Sequence, residues 1–376
     1  MPLFYGIMTE TVTYGCWHLR IVSVQLIFEK RRMAMKKDFG TLKNGEKAWL
    51  YTLKNENGME IAVSNYGASW VSAWIPEKGG TKKDILLGYD TAAGYEAGGE
   101  AIGALVGRNA NRIGGAEFTL NGKTSHLSKT LGENNLHSGP DFFHKRLWQA
   151  TEEDDSHVVF ALESPEGDQG FPGVLNVCVT YALDNENEVR ISYHAEASED
   201  TICNMTNHAY FNLNGHDSGD ILSHEVWVDA DSYTRTDIDS IPTGELVSVE
   251  GTPMDFRKMK SIGRDIEQNY EALVYGKGYD HNWVINGEAY RKAAEMTAKE
   301  SKITMEIYTD RPGVQIYSGN FLNNERGKEG AVYQKRGGIC FETQAFPDAI
   351  NHENFPSPVL RKGEAWETTT AYKFIF

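Results

Sequence analysis

Residues 49–63 read WLYTLKNENGMEIAV, and this stretch indicates the fold class. Residues 49–53 are rich in aromatic and β-forming residue types. Asn57 and Gly58 form a typical two-residue turn, and residues 59–63 then alternate apolar with polar side chains. Two strand-like runs joined by Asn-Gly are the signature of an antiparallel β-hairpin. The stretch therefore predicts a hairpin near the beginning of an all-β domain.

The same pattern recurs along the chain. Residues 118–124, FTLNGKT, repeat the strand and Asn-Gly turn. Glycine is plentiful at 37 residues and proline scarce at 11, as many tight turns require. Residues 289–299 contain helix-forming residue types but are short and polar, so they predict either a short helix or an exposed strand. Further short strands are predicted at residues 158–162, 175–183, 189–195, 227–228, 303–308 and 314–317.

The chain shows no alternation of strands with helices of the kind that a parallel sheet requires. No Pro/Ser-rich linker divides it after residue 35. We therefore predict one large antiparallel β-sandwich domain over residues 35–376. Residues 1–34 differ, because their apolar run, residues 21–28, is followed rather than preceded by basic residues, the reverse of a secretory signal. We expect them to be an N-terminal extension, either a mis-assigned start or a tail outside the domain.

Charge limits the classes of partner. The chain has 376 residues, with 37 Lys and Arg against 53 Asp and Glu, a formal net charge of −16. Nucleic acids and anionic membrane surfaces attract basic faces, so neither is an expected partner. No run approaches the roughly 18 apolar residues that a membrane-spanning helix needs. The sequence therefore favours a cytoplasmic protein with a small-molecule substrate.

Motifs for cofactors and metals are missing from the sequence. It contains no GxxxxGK[ST] phosphate loop, no GxGxxG after a strand, no HExxH and no CxxC. The eleven histidines are scattered, and scattered histidines are more often surface or core residues than ligands. We therefore expect neither a cofactor nor a metal ion.

Four polar clusters remain as candidates for a site. Arg108 and Arg112 lie in a Gly-flanked segment, where their fork-like donors suit hydroxyls or carboxylates, although a solvated surface turn has the same pattern. His137 precedes Gly-Pro and His208 lies in a strand-like run, and each could equally be a structural histidine. The four clusters are residues 107–114, GRNANRIG; 134–140, NNLHSGP; 204–213, NMTNHAYFNL; and the acidic pair of segments 279–283 and 340–344, YDHNW and CFETQ.

Glu342 follows an apolar run and is expected on a core strand. Burying a carboxylate without a partner is costly, so it needs a ligand or an ion pair with an arginine. Desolvation would raise its pKa and make it a usable general base. Histidine, glutamate, arginine and aspartate together, without a cofactor, indicate proton transfer on a neutral polyol such as a sugar.

At these clusters the sequence closely resembles the aldose 1-epimerase, or galactose mutarotase, family. The resemblance runs in order from about residue 37 to the C-terminus. Asn109 and Ser138 depart from it, since the family often has a small apolar residue and a glycine there. The matching segments are LGYD (87–90), GRNANRI (107–113), NLHSG (135–139), TNHAYFNL (206–213), YDH (279–281), PGVQ (312–315), GNFL (319–322), FETQ (341–344), FPSPVLR (355–361) and YKF (372–374).

The resemblance implies a galactose mutarotase-like supersandwich with a carbohydrate site in a groove on one sheet. It implies that Glu342 is the general base for the C1 hydroxyl and His208 the general acid for the ring oxygen, so that the sugar opens and recloses. His137 would hold the ring oxygen or share the acid role. It also implies a monomer or homodimer acting in hexose and galactose metabolism. The substrate-binding residues implied are Arg112, Asp280, Asn111, Gln315 and Tyr210.

Three other functions stay open. A non-catalytic carbohydrate-binding protein could use the same fold, although His208 and Glu342 argue against it. An epimerase for a hexose 6-phosphate would need a cationic cluster, and the sequence shows none beyond the arginines already assigned. A glycosidase using Asp280 and Glu342 is a more distant alternative, because it would need a subsite for the leaving group.

Overall fold

The computed structural model describes residues 34–376, so the predicted extension lies outside the described residues except for Ala34. The α-helices within the described residues are α1 (Ala92–Ala97) and α2 (Glu271–Gly276), and six three-residue 3-10 helices occur in the loops. The strands are β1 (Met35–Thr41), β2 (Lys47–Lys54), β3 (Glu60–Ser64), β4 (Ser69–Pro76), β5 (Lys82–Asp84), β6 (Ala104–Val106), β7 (Arg112–Ile113), β8 (Glu117–Leu120), β9 (Lys123–His126), β10 (Asn135–Leu136), β11 (Gln149–Glu153), β12 (His157–Ser164), β13 (Leu175–Leu183), β14 (Glu188–Ala197), β15 (Thr201–Ile202), β16 (Thr206–His208), β17 (Glu225–Val228), β18 (Ala230–Thr236), β19 (Pro242–Ser248), β20 (Lys260–Ser261), β21 (Asp280–Ile285), β22 (Arg291–Thr297), β23 (Thr304–Thr309), β24 (Gly313–Tyr317), β25 (Glu325–Arg326), β26 (Val332–Tyr333), β27 (Cys340–Gln344), β28 (Val359–Leu360) and β29 (Ala365–Ile375).

Three larger sheets form the body of the domain. One has the order β1-β2-β3-β4-β5, and a nine-stranded sheet has the order β11-β12-β13-β14-β29-β23-β22-β17-β20. The third, β19-β18-β21-β24-β27, is called the site sheet below. Neighbouring strands in all three are antiparallel, for example β13 with β14 and β24 with β27. The predicted antiparallel all-β architecture is therefore confirmed.

The predicted hairpins are present in this architecture. Strands β2 and β3 pair with Leu53 opposite Ile61, around the Asn-Gly turn, and β8 pairs with β9. Residues 289–299 do not form a helix, because β22 pairs with β17 and β23 and buries Met296. Pairing with two neighbours overrides the local helix propensity. Both α-helices have six residues, and no helix within residues 34–376 is long and apolar enough to cross a membrane.

The site sheet has two different faces because side chains alternate along a strand. Trp283 of β21, Ile316 of β24 and Phe341 of β27 lie in the main hydrophobic core. The opposite face of the same strands carries Asp280 of β21 and Glu342 of β27. Burial of the apolar face fixes the pairing register of these strands. The same register places Asp280 and Glu342 together on the opposite, polar face of the sheet.

Candidate active site

A cavity of about 650 Å³ opens on the polar face of the site sheet. Its wall combines side chains from β21, β24 and β27 with loops that follow β6, β10 and β18. The fold therefore brings together segments that are far apart in the sequence. Seven of the eight site residues predicted from the sequence line the cavity: Asn111, Arg112, His137, His208, Tyr210, Asp280 and Glu342.

Glu342 lies in the centre of β27 and is 2% exposed. Its Oε1 lies 3.6 Å from His208 Nε2. Its Oε2 is buried and has no hydrogen-bond partner within residues 34–376. Burial, and secondarily the negative charge of Asp280, raises the pKa of Glu342 well above its ordinary value. A raised pKa makes the ionised carboxylate a stronger base than an exposed glutamate, as suits a general base.

His208 ends β16, which pairs with β6, and it is 6% exposed. Its ring stacks on Tyr210 with the ring centres 5.0 Å apart. Its Nδ1 lies 3.3 Å from Cys340 Sγ, which leaves Nε2 directed toward Glu342. Burial lowers the pKa of His208 to about 4, so the free imidazole is neutral at pH 7. At that pH the free His208 ring therefore carries a single N–H and no charge.

His137 faces the same space from the loop after β10. Its ring lies edge-on to that of His208, with the centres 5.6 Å apart. Its Nδ1 accepts a hydrogen bond from the backbone N–H of Asn111 at 3.1 Å. Burial, with the neighbouring His208, lowers the pKa of His137 well below its ordinary value. A neutral imidazole that accepts at Nδ1 carries its proton on Nε2, so His137 is a fixed hydrogen-bond donor.

Asn111 connects this histidine to the arginine of the site. Its φ of 65° is left-handed, a conformation that asparagine tolerates better than most residues. Its backbone carbonyl accepts from the His137 backbone N–H at 3.0 Å. Its side-chain Oδ1 accepts from Arg112 Nη1 at 3.1 Å. Asn111 therefore holds both neighbours in place in addition to lining the cavity.

Asp280 and Arg112 form a buried ion pair on the cavity wall. Arg112 Nη2 donates to Asp280 Oδ2 at 3.1 Å, and Gln315 Nε2 donates to Asp280 Oδ1 at 2.6 Å. Burial alone would raise the pKa of Asp280, but the charges of Arg112 and His281 and these hydrogen bonds outweigh it and lower the pKa. Asp280 is therefore ionised at neutral pH and can accept from a ligand hydroxyl. Gln315, predicted as a ligand contact, does not line the cavity and instead positions Asp280.

Tyr210 presents its ring rather than its hydroxyl to the site. Its hydroxyl donates to the backbone carbonyl of Glu100 at 3.0 Å, while its ring supports His208. Burial raises the pKa of Tyr210 well above its ordinary value, so the hydroxyl stays protonated. Tyr210 is therefore best suited to hold the histidine and to shape the wall.

Arg108, which lies in the same sequence motif as Arg112, has a structural role and is not part of the cavity. It is 1% exposed and does not line the cavity. Its guanidinium donates to the Ser164 hydroxyl and carbonyl, the Pro165 and Pro172 carbonyls and the Thr201 hydroxyl. The Gly-flanked motif thus divides between one structural and one site arginine, a distinction that spacing alone does not show.

Four cavity or neighbouring residues were missed by sequence reasoning. Tyr317 and Phe321 line the cavity with nearly parallel rings, their centres 6.2 Å apart and their planes at 24°. Strand alternation from Gln315 could have identified Tyr317, since i and i+2 share a face. Glu100 also lines the cavity, but it lies in a loop with no periodic signal. Cys340 could have been found by the same alternation, two residues before Glu342.

His137, His208 and Glu342 bring three possible metal-ligand atoms within 4.8 Å of one another. A histidine that binds a metal through one ring nitrogen normally carries its proton on the other and donates it to an acceptor. His137 Nδ1 instead accepts from the Asn111 backbone N–H. If His137 bound a metal through Nε2, its Nδ1 would carry the ring proton. Two N–H donors, Nδ1–H and the Asn111 backbone, would then face each other, or their hydrogen bond would have to break. The donor set therefore suits hydrogen bonding to a ligand better than metal coordination.

Comparison with known proteins matches this arrangement to a family. The model of the family described as aldose 1-epimerase matches residues 50–373. The chain is 38% identical over 336 residues to the aldose 1-epimerase of Escherichia coli K12, covering 88% of this chain and 96% of that protein. It is 39% identical over 318 residues to the human galactose mutarotase, covering 84% and 91%.

Solved structures agree with the sequence matches. The galactose 1-epimerase of Lactobacillus acidophilus superposes with a TM-score of 0.80 at 26% identity, covering 91% of this chain and 98% of that one. An aldose epimerase homologue from Caenorhabditis elegans also gives a TM-score of 0.80, at 28% identity, covering 86% and 98%. The family match spans most of the chain and includes every predicted site residue. The chain belongs to the aldose 1-epimerase family.

Proposed function

We propose that this protein is an isomerase that interconverts the α and β anomers of free aldohexoses, galactose and glucose among them. The observation that carries the proposal is the buried contact of His208 Nε2 with Glu342 Oε1 at 3.6 Å inside a cavity. Interconversion of anomers requires one group to remove a proton from the C1 hydroxyl and another to protonate the ring oxygen. Two proton-transfer groups side by side, with burial altering both pKa values, meet that requirement.

The reaction opens the sugar ring in one concerted exchange. Glu342 takes the proton of the C1 hydroxyl, C1 becomes a carbonyl carbon, and the bond between C1 and the ring oxygen breaks. The reactive form is ionised Glu342 beside protonated His208, which holds the same number of protons as the neutral pair that burial favours. The ring oxygen takes a proton from Nε2 of this imidazolium. Rotation about the C1–C2 bond then presents the other face of the aldehyde. The steps reverse with Glu342 as acid and His208 as base, so that the enzyme ends in its starting protonation state.

The remaining residues position the sugar. His137 offers a fixed N–H from Nε2, which suits the ring oxygen or a neighbouring hydroxyl as acceptor. Asp280 accepts from a sugar hydroxyl and Arg112 donates to one, while their mutual ion pair holds both side chains in place. Asn111, Gln315 and Tyr210 hold these groups. Tyr317 and Phe321 supply aromatic faces against which the apolar side of a sugar ring can lie.

The charge of the cavity favours a neutral sugar over a hexose 6-phosphate. Its acidic lining residues are Glu100, Glu133, Asp239, Asp280 and Glu342, and its basic ones are Arg112 and Lys277. Arg112 is already paired with Asp280. A phosphate would therefore meet net negative charge, which costs binding free energy. We further propose a cytoplasmic monomer or homodimer that does not bind nucleic acid or membranes, which the formal net charge of −16 supports.

Polarimetry of freshly dissolved α-D-galactose and α-D-glucose tests the proposal. Buffer must be dilute, because buffer ions themselves catalyse ring opening. The wild-type protein should speed the decay to an unchanged final rotation. Glu342→Gln should lower kcat about 10²- to 10⁴-fold, the usual contribution of a general base. Glu364→Gln, an exposed and distant change, is the matched control and should leave the rate unchanged.

Three outcomes would redirect the assignment. Undiminished activity in Glu342→Gln would show that another group is the base. Acceleration with a hexose 6-phosphate alone would replace the neutral sugar as substrate. Sugar binding without any acceleration would favour the non-catalytic binding protein.

A further inference from the structure

The two histidines of the site differ in what faces their Nδ1 atoms. At His137 the neighbour is the backbone N–H of Asn111, which can only donate. At His208 the neighbour is Cys340 Sγ, at 3.3 Å. A thiol can donate its S–H or accept at sulfur. His137 is therefore confined to one tautomer, whereas the contact at His208 is compatible with a proton on Nδ1 or without one.

Cys340 is well placed for a lasting contact with His208. It is fully buried in β27, two residues before Glu342, so both side chains extend from the same face of the strand. Burial, and secondarily the charge of Glu342, raises the pKa of the Cys340 thiol well above its ordinary value. The thiol therefore keeps its proton and is not a nucleophile at neutral pH. Within residues 34–376 its hydrogen-bond partner is His208.

The reaction proposed above imposes a requirement on Nδ1. His208 gives a proton from Nε2 to the ring oxygen and later takes one back there. To remain a neutral imidazole after giving it, the ring must keep a proton on Nδ1, and that N–H needs an acceptor. A neighbour that can only donate, as at His137, would oppose this form. The sulfur of Cys340 can accept it.

We infer that Cys340 is a positioning residue for proton transfer: its thiol accepts from Nδ1–H of His208, which stays in place in the resting ring and during turnover while Nε2 exchanges its proton. The inference rests on the proposed function. It also explains why the two neighbouring histidines have different roles, with His208 changing its protonation state and His137 remaining a neutral donor. The step is balanced, because the Nδ1 proton and the thiol proton both stay in place and no bond to sulfur is made or broken.

Groups other than Cys340 also affect the pKa of His208. The backbone carbonyl of His208 favours the protonated ring, as does the charge of Asp280. These groups are unchanged in variants at position 340, so differences between such variants report on the sulfur contact. The titratable side chains in contact with the His208 ring are Glu342, His137, Tyr210, Tyr317 and Cys340. Asp280 and His144 interact with it electrostatically.

The matched pair of variants is Cys340→Ser and Cys340→Ala. Serine keeps a group that both donates and accepts, whereas alanine keeps neither and is close in size. Cys340→Ser should stay within about threefold of the wild-type kcat, and Cys340→Ala should lose about tenfold or more in kcat, a part of the usual general-acid contribution. KM for galactose should change little in either. In a plot of kcat against pH, the acid limb should move to lower pH in Cys340→Ala. Loss of the sulfur acceptor disfavours the protonated His208 ring and so lowers its pKa.

Nuclear magnetic resonance gives a readout independent of activity. Long-range ¹⁵N–¹H correlation spectra of the wild-type protein identify which ring nitrogen carries the proton. His137 should show only the Nε2–H tautomer across the pH range. His208 should show a population with Nδ1–H, and that population or the ring pKa should differ between the two variants.

The inference would be overturned by equal kcat and equal pH profiles in Cys340→Ser and Cys340→Ala. A His208 ring fixed as Nε2–H at every pH in the wild-type protein would overturn it as well, even if Cys340→Ala did not fold. Failure of the proposed function would look different, since the wild-type protein itself would then leave the mutarotation rate unchanged.

Discussion

His208 Nε2 lies 3.6 Å from Glu342 Oε1, and burial shifts the two groups in opposite directions. It raises the pKa of the carboxyl and lowers the pKa of the imidazole to about 4. Both groups are thus driven toward their uncharged forms, and the second carboxyl oxygen has no partner within the described part of the chain. Such an arrangement costs folding free energy and is retained where a ligand completes the hydrogen bonds.

This cost predicts that Glu342→Gln makes the protein more stable while making it inactive. In the unfolded chain the carboxyl ionises near pH 4.5, whereas in the folded protein its pKa is raised. The folded wild type therefore loses stability relative to the variant as pH rises from 4.5 through the raised pKa. We expect a gain of about 0.5–2 kcal/mol at neutral pH, in the range of other stabilising substitutions. Thermal unfolding at several pH values measures it.

The difference between the two proteins should shrink toward zero below pH 4.5, where both folded and unfolded chains hold the carboxyl proton. Glu364→Gln should show no such dependence, because that side chain is exposed. A Glu342→Gln variant equal to wild type in stability at every pH would contradict the idea of a costly carboxyl.

Glutamine substitutions should separate the roles of the two histidines. A glutamine amide can place an N–H near the position of histidine Nε2 but cannot exchange a proton. His137→Gln should therefore keep activity within about tenfold of wild type, while His208→Gln should lose about 10²- to 10⁴-fold in kcat. Polarimetry with α-D-galactose measures both. Equal losses would mean that His137 also transfers a proton.

Asp280→Asn should weaken sugar binding more than the chemical step. The change leaves the buried Arg112 without its ionic partner, which costs about 3–5 kcal/mol of stability when a buried pair is broken. We expect KM for galactose to rise about tenfold with a smaller change in kcat, the signature of a lost binding contact. Initial rates over a range of sugar concentrations test this. A fall in kcat alone would assign Asp280 to the chemistry, and Asp217→Asn, on the surface, is the control.

Arg108→Lys should destabilise the protein and leave sugar binding unchanged. Arg108 donates to five oxygens from its planar guanidinium, which a lysine ammonium cannot reproduce. Unsatisfied carbonyls and a misplaced charge should cost about 2–4 kcal/mol in denaturant unfolding. KM for galactose should stay within twofold. The control is Arg361→Lys at an exposed pair with Asp200, worth under about 1 kcal/mol.

The strand pattern was readable from sequence because period-2 alternation and Asn-Gly turns are local signals. Residues 175–183 were predicted as a strand and form β13, alternating buried and partly buried side chains along their length. The run at 289–299 was ambiguous because its helix-forming residues conflict with a pairing that only distant strands supply. The paired arginines were ambiguous for a similar reason, since spacing does not show which one faces the core.

The sequence by itself determined an antiparallel β domain and the residues of the proposed sugar site, because residue types, turns and motif order are written along the chain. Only the tertiary structure decided how those residues work. The contact of His208 with Glu342, the backbone donor that fixes His137, the thiol beside His208 and the role of Gln315 behind Asp280 all depend on strands far apart in the sequence. Their pKa values likewise follow from burial, which exists only once the sheets have packed.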